Sequence, residues 1–169
     1  MREVLLGVAA KGLFTPLWSA RILEEWARAA RKIGPDGEAQ ARGEVALVQA
    51  AWPKAEVRDW EGVARRLYLT DENDIHVLAA AIRGGADVLL TMNAKDFPRH
   101  VLAEDGIERR DPDGFLWELW SHHPQAVGEV VEAVRLQAER LSGEAWTMRG
   151  LMRKARLPRL GKAVAQGAG

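Results

Sequence analysis

An α/β fold around a mainly parallel sheet is what this sequence predicts, and three observations carry it. Helical patterns alternate with very short apolar strands along roughly the first 120 residues, as in helices packed on a parallel sheet. The run Val88-Leu89-Leu90 is uninterrupted and polar at both ends, as expected of a strand covered on both faces. From residue 124 onward the pattern is helical, with breaks only at "LSGEAW" and Pro158, so a helical extension follows the sheet.

Taken in order, residues 2–11 read as a helix. Val4, Leu5, Val8 and Ala9 recur at helical spacing, and Gly12 supplies the stop. "LFTPLWS" is short, β-leaning and punctuated by Pro16, which reads as a brief strand or an extended link. Ser19 is the N-cap of a second helix, 20–33, with an apolar stripe of Ile22, Trp26, Ala29 and Ile33. "GPDG" at 34–37 is a loop by composition. A third helix over about 38–51 carries Val45, Val48 and Trp52 on one side. Pro53 breaks the pattern; a small helix around 60–66 and a short strand at "LYL" follow. The helix 74–83 places Ile75, Leu78, Ala79 and Ile82 on one face and stops at Gly84-Gly85. "IERR" is a second strand candidate. "DPDGFLWELW" opens on an N-cap signal and continues as a helix containing Phe115, Leu116, Leu119 and Trp120. The tail "AVAQGAG" is expected to fray.

The bulk numbers exclude more than they assign. A chain of 169 residues is enough for one domain and a tail. Acidic and basic residues balance at 24 each, so net charge selects no partner and local clusters must do so. The absence of cysteine removes disulfides, thiolate nucleophiles and cysteine-based zinc sites. No apolar run reaches the length of a membrane span. The opening "MREVLLGVAAKGLF" is interrupted by Lys11 and lacks a clean small-residue cleavage site, so a helix fits it better than a signal peptide. A cytoplasmic location is the expectation. The four histidines show no metal spacing, and there is no Gly-rich phosphate loop or Ser-His-Asp arrangement. Trp26, Trp117 and Trp120 stand at helical apolar positions, as core or oligomer contacts.

The chemistry gathers at one rim. In open parallel sheets, ligands bind beyond the carboxyl ends of the strands. Thr91, Met92 and Asn93 lie at that end of "VLL". A hard cation takes oxygen ligands, usually one or two carboxylates with waters, and can drive in-line attack on a phosphodiester. Asp74 and Asp96 supply carboxylates from separate elements, and Asn93 a neutral oxygen. Glu25 borders the buried stripe of its helix. Each has a plain alternative. Asp71, Asn73 or Asp74 can cap a helix, "NAKD" can be only a turn, and Glu25 can be a solvated residue beside Glu24.

The stretch "DENDIHVLAAAIRGGADVLLTMNAKDFP" resembles the carboxyl half of a PIN domain, the fold of the VapC-type toxin ribonucleases. An acidic residue opens a helix with an Ala-rich body; a Gly turn and an apolar strand ending in Thr follow, then Asn and Asp-Phe. "GLFTPLWSARILEEW" resembles that family's second acidic motif, a Ser-initiated helix with a Glu six residues on. The resemblance implies a PIN-like three-layer sandwich over residues 1–121 and a helical C-terminal extension over 122–169. It also implies an endoribonuclease dependent on Mg2+ or Mn2+. Glu25, Asp74, Asn93 and Asp96 would be catalytic, with Asp74, Asp96 and Glu25 holding metal and Thr91 as polar support. Glu24 is one residue off the family spacing. RNA is the implied substrate, and an antitoxin protein and a second copy of the chain are the implied partners.

One departure matters. PIN domains begin with a buried strand ending in Asp, whereas "MREVLLGVAAKG" matches the helix that comes after it. Two explanations compete: Met1 is an internal methionine of a longer protein, or the chain lacks that strand and first carboxylate; for this polypeptide the expectation is weak magnesium binding and little nuclease activity. The rival reading is a metal-free module that keeps the fold and holds RNA or a protein partner. The tail adds a second feature. From Trp146 onward there are six basic residues and no acidic one: Arg149, Arg153, Lys154, Arg156, Arg159 and Lys162. They suit RNA phosphates, with Trp146 as a stacking face, or they form a solvated helix face.

Overall fold

The computed structural model describes residues 1–167. Its elements in chain order are α1 (Arg2–Ala10), α2 (Ala20–Ala29), α3 (Gly37–Ala51), α4 (Glu61–Ala64), α5 (Ile75–Arg83), β1 (Val88–Leu90), α6 (Arg99–Glu104), β2 (Glu108–Arg110), α7 (Pro112–His122), α8 (Pro124–Ser142), α9 (Met148–Lys154) and α10 (Pro158–Gly167). The class is α/β, as the sequence predicts. β1 and β2 run parallel: the Glu108 N–H donates to the Asp87 carbonyl at 2.9 Å and the Thr91 N–H to the Arg110 carbonyl at 3.0 Å. Contacts divide the chain into two compact units.

The first unit comprises Met1–Thr15, Leu90–Met92 and the chain from Arg110 onward. Its core is mainly helical and includes Val4 and Val8 of α1, Leu116 of α7, Val127 and Val131 of α8, Met152 of α9 and Leu160 of α10. Burial of each such side chain contributes roughly 1.5–3 kcal/mol. α1 ends as predicted at Gly12, whose φ of 77° suits glycine. Gly7 allows α1 to approach α8, since a Cβ there would lie 2.6 Å from Val130 Cγ1. Asp111 caps α7 through the Gly114 N–H, and Thr147 caps α9 through the Gly150 N–H. The tail does not fray over 163–167: these residues lie in α10, with Ala163 and Val164 buried. Ala168 and Gly169 lie outside the described residues. Pro158, read as a break, is the first residue of α10, where a missing N–H costs nothing.

The second unit comprises Pro16–Leu89 and Asn93–Arg109. Leu69, Leu78, Leu89, Phe97, Leu102 and Ile107 form its main core. Ser19 caps α2 as predicted, its side chain accepting from the Ile22 N–H at 3.3 Å. The buried stripe that follows is shifted by one residue from the expected one. Leu23, Ala27 and Ala30 are buried, while Ile33 is 84% exposed at the end of a 3-10 turn. Turn geometry after Ala29 rotates the final residues away from a pure helical register. "LFTPLWS" contributes one isolated parallel bridge, Trp18 to Glu56. "LYL" is not a strand: Leu67 and Leu69 pack into the core, and Tyr68 is 80% exposed. Of the "VLL" run only Leu89 is buried, because a two-stranded sheet gives Val88 and Leu90 fewer neighbours than a strand flanked on both sides.

Candidate metal centre

Two short segments of the second unit bring carboxylates together. The first is the entry to α5. Asp71 opens a 3-10 turn, Glu72–Asp74, and its Oδ1 accepts from the Asn73 N–H at 2.9 Å. Asp74 then stands at the junction of the turn and α5. A three-residue turn returns Asp71 and Asp74 to one side, because side chains three apart nearly eclipse in this geometry. The second segment is the turn "NAKDF" beyond β1. The Asp96 N–H donates to Asn93 Oδ1 at 3.3 Å, closing a local turn, and Phe97 anchors it in the core. Arg109 of β2 ties the same turn down: its Nη1 donates to the carbonyls of Ala94 at 2.7 Å and Phe97 at 2.9 Å.

One carboxylate oxygen from each of Asp71, Asp74 and Asp96 lies within 4.8 Å of the others. Asn93 joins them, with its Nδ2 donating to Asp74 Oδ2 at 3.2 Å and Asp96 Oδ2 at 2.8 Å. The Asp74 carboxyl is held above its ordinary pKa, first by burial and then by the charges of Asp71 and Asp96, with Glu25 adding a smaller push. The carboxylates therefore repel one another, and the electropositive amide edge of Asn93 lies between two of them. An oxygen-rich set of this kind fits a hard divalent cation.

Of the sequence-selected residues, the structure brings Asp74, Asn93 and Asp96 into contact. Glu25 stands apart from that contact group. Its Oε1 accepts from Arg21 Nε at 3.0 Å and lies 3.1 Å from His76 Nε2, while its charge still reaches Asp74. His76 is buried beside the Trp60 ring. Its Nε2 approaches Glu25 at an angle outside hydrogen-bond alignment, and its Nδ1 faces no hydrogen-bond partner among the described residues. Burial lowers the His76 pKa, against a smaller opposing pull from Glu25. Thr91 extends β1 by one residue and holds the Arg110 carbonyl through its backbone. Arg149, Arg153, Lys154 and Arg156 belong to the other unit, exposed on α9 and the turn after it. Sequence reasoning treated Asp71 only as a cap and overlooked Arg109. The Asp-x-x-Asp spacing around a turn was the available signal for Asp71; none marked Arg109, whose partners are backbone carbonyls.

A PIN domain family model matches residues 2–95, more than half of the chain. This chain belongs to the PIN domain family. A protein of Mycobacterium tuberculosis bearing the name "Putative ribonuclease VapC50" is 40% identical to it over 58 residues, which is 34% of this chain and 34% of that protein. The similarity thus spans about a third of that relative's length. No solved structure matches. Among the described residues, no helix is long and apolar enough to cross a membrane.

Proposed function

We propose that this PIN domain is a metal-dependent endoribonuclease, the toxin of a toxin–antitoxin pair, acting in the cytoplasm on RNA phosphodiesters. One observation carries the reading: carboxylates of Asp71, Asp74 and Asp96 converge within 4.8 Å, from the entry to α5 and the turn after β1. Asp74 and Asp96, with Asp71 beside them, would hold Mg2+ or Mn2+. Such an ion, when bound, offsets phosphate charge and lowers the pKa of water. The chain's own residues prepare the place for it. Asn93 keeps Asp74 and Asp96 close through its amide N–H groups, while its Oδ1 accepts from the Asp96 N–H. Arg109 fixes the turn that carries Asp96. Glu25, steadied by Arg21, adds negative charge near Asp74 and is the residue we assign to orienting water. Thr91 supports the strand end. The name of the mycobacterial relative supports the same activity. We further take residues 1–121 as the PIN-like part and 122–169 as its helical extension, with an antitoxin and a second copy of the chain as protein partners.

The test is cleavage of end-labelled RNA with and without Mn2+. Wild type should cleave weakly and only with metal, and Asp74→Asn should abolish that cleavage while the protein stays folded. Metal-independent cleavage, or full activity in Asp74→Asn, would refute the proposal. A second reading, a module that holds RNA or protein without cutting, is favoured by one feature. The Asn93 amide already bridges Asp74 and Asp96, and its N–H dipoles ease part of their repulsion without an ion. RNA binding without cleavage at any metal concentration would select it.

A further inference from the structure

The α9–α10 segment carries a set of cations that the acidic cluster does not use. Arg149, Arg153, Lys154, Arg156, Arg159 and Lys162 are all exposed, and no acidic residue follows Glu144 in the chain. Elsewhere arginines are generally matched by carboxylates: Arg42 with Glu24 and Glu38, Arg135 with Glu132 and Glu139, Arg110 with Glu118. Among the described residues, none of these six side chains has a carboxylate partner. Nearby acids are already engaged. Glu139 accepts from Arg135 and from the Trp146 N–H, and both oxygens of the buried Asp113 accept from the N–H groups of Arg159 and Leu160.

Packing turns the six charges outward. Met148, Leu151, Met152 and Ala155 face the core from α9, leaving Arg149 and Arg153, one turn apart, on the solvent side. In α10, Leu160, Gly161, Ala163 and Val164 are buried, which leaves Arg159 and Lys162 outside. Like charges one helical turn apart repel, so the segment carries a cost that no carboxylate in contact with these side chains offsets. Two of the cations are held without being neutralised. Lys154 Nζ lies 4.6 Å from the Trp146 ring centroid, and the Arg159 guanidinium carbon 4.8 Å from that of Trp117. Aromatic faces restrict these side chains and leave their full charge available to an outside anion.

We propose that α9 and α10 form a binding surface for the phosphate backbone of single-stranded RNA, distinct from the acidic cluster. Spaced cations with aromatic supports suit a flexible polyanion rather than one compact anion. The choice of RNA among polyanions rests on the ribonuclease reading above. The surface would hold the strand without regard to sequence.

The experiment uses the full chain in EDTA and fluorescence anisotropy with a labelled single-stranded RNA of about 20 nucleotides across a NaCl series. Loss of three phosphate contacts in Arg149→Gln/Arg153→Gln/Lys154→Gln should reduce the slope of log affinity against log salt by about 2, at about 0.7 per contact. An unchanged slope overturns the proposal. If that variant melts early, Arg159→Gln/Lys162→Gln serves instead, with an expected slope loss of about 1.4. Arg149→Lys/Arg153→Lys should keep the slope; its loss there overturns the electrostatic account. Polyglutamate competing as well as RNA overturns the assignment to RNA. The two readings fail separately. Cleavage that depends on Asp74 with an unchanged slope removes only this surface. Absent cleavage with the expected slope change removes only the nuclease.

Discussion

Asp74→Asn should make the metal-free protein more stable while abolishing its activity. The carboxylates of Asp71 and Asp96 come within 4.8 Å of that of Asp74. At that separation one pair of like charges costs about 0.9 kcal/mol in a water-like dielectric and about 3.5 kcal/mol at an effective value near 20. Asp74 is half-buried, and the cluster touches solvent, so the lower figure is the safer one and two pairs give about 2 kcal/mol. The variant keeps an oxygen for the Asn93 amide but loses the charge on it, which returns about 1 kcal/mol. The net gain is about 1 kcal/mol, or a Tm rise of about 2–4 °C for a chain of this size. Mn2+ should reverse the order. Wild type gains about 2.7 kcal/mol at a hundredfold excess over Kd, whereas the variant gains little. The assay is thermal unfolding by circular dichroism for both proteins, in EDTA and in Mn2+. A variant less stable than wild type in EDTA, or a wild-type Tm indifferent to Mn2+, would refute the electrostatic argument.

Four other outcomes follow from named contacts. Arg109→Ala frees the "NAKDF" turn and should weaken Mn2+ binding about tenfold by calorimetry, as loss of an outer support does at other metal sites; unchanged affinity would show that the turn holds itself. Asp113→Ala removes two charged hydrogen bonds to the start of α10 and should cost about 3 kcal/mol in urea unfolding, with a loss below about 1 kcal/mol counting against this cap. Gly7→Ala should cost about 1–3 kcal/mol because its Cβ meets Val130 at 2.6 Å, and Val130→Ala in the same chain should recover part of it. The His76 pKa is lowered by folding, so its contribution is present above its ordinary value near 6.5 and is lost as pH falls below it. Tm should decline between about pH 7 and about pH 5 more steeply in wild type than in His76→Phe, and parallel profiles would contradict this. Asp74 acts in the opposite sense at lower pH, because its raised pKa makes protonation favour the folded state.

Much of the local structure was legible because it follows from a few neighbours in sequence. The Ser19 and Asp111 caps, the Gly12 stop, the Ala-rich α5 and the two parallel strands all depend on dihedral preference and periodicity. The stripe of α2 was misread by one residue because pattern alone prefers large side chains, and the structure buries Leu23, Ala27 and Ala30 instead of the expected Ile33. "LYL" has strand-like composition but finds no strand to pair with. A chain terminus is expected to fray, yet Ala163 and Val164 are buried, and the core that Val164 joins includes Val4, Val8 and Leu116 from far away in the chain.

The candidate site divides along the same line. Asp74, Asn93 and Asp96 could be picked from spacing and from resemblance, since each sits at the end of a predictable element. Their meeting, the recruitment of Asp71, the bracing by Arg109 and the diversion of Glu25 to Arg21 were decided by tertiary structure. Periodicity constrains which way a side chain leaves its own backbone. It carries no information about which other backbone will stand opposite, and charge repulsion of the kind that raises the Asp74 pKa exists only once those backbones have met.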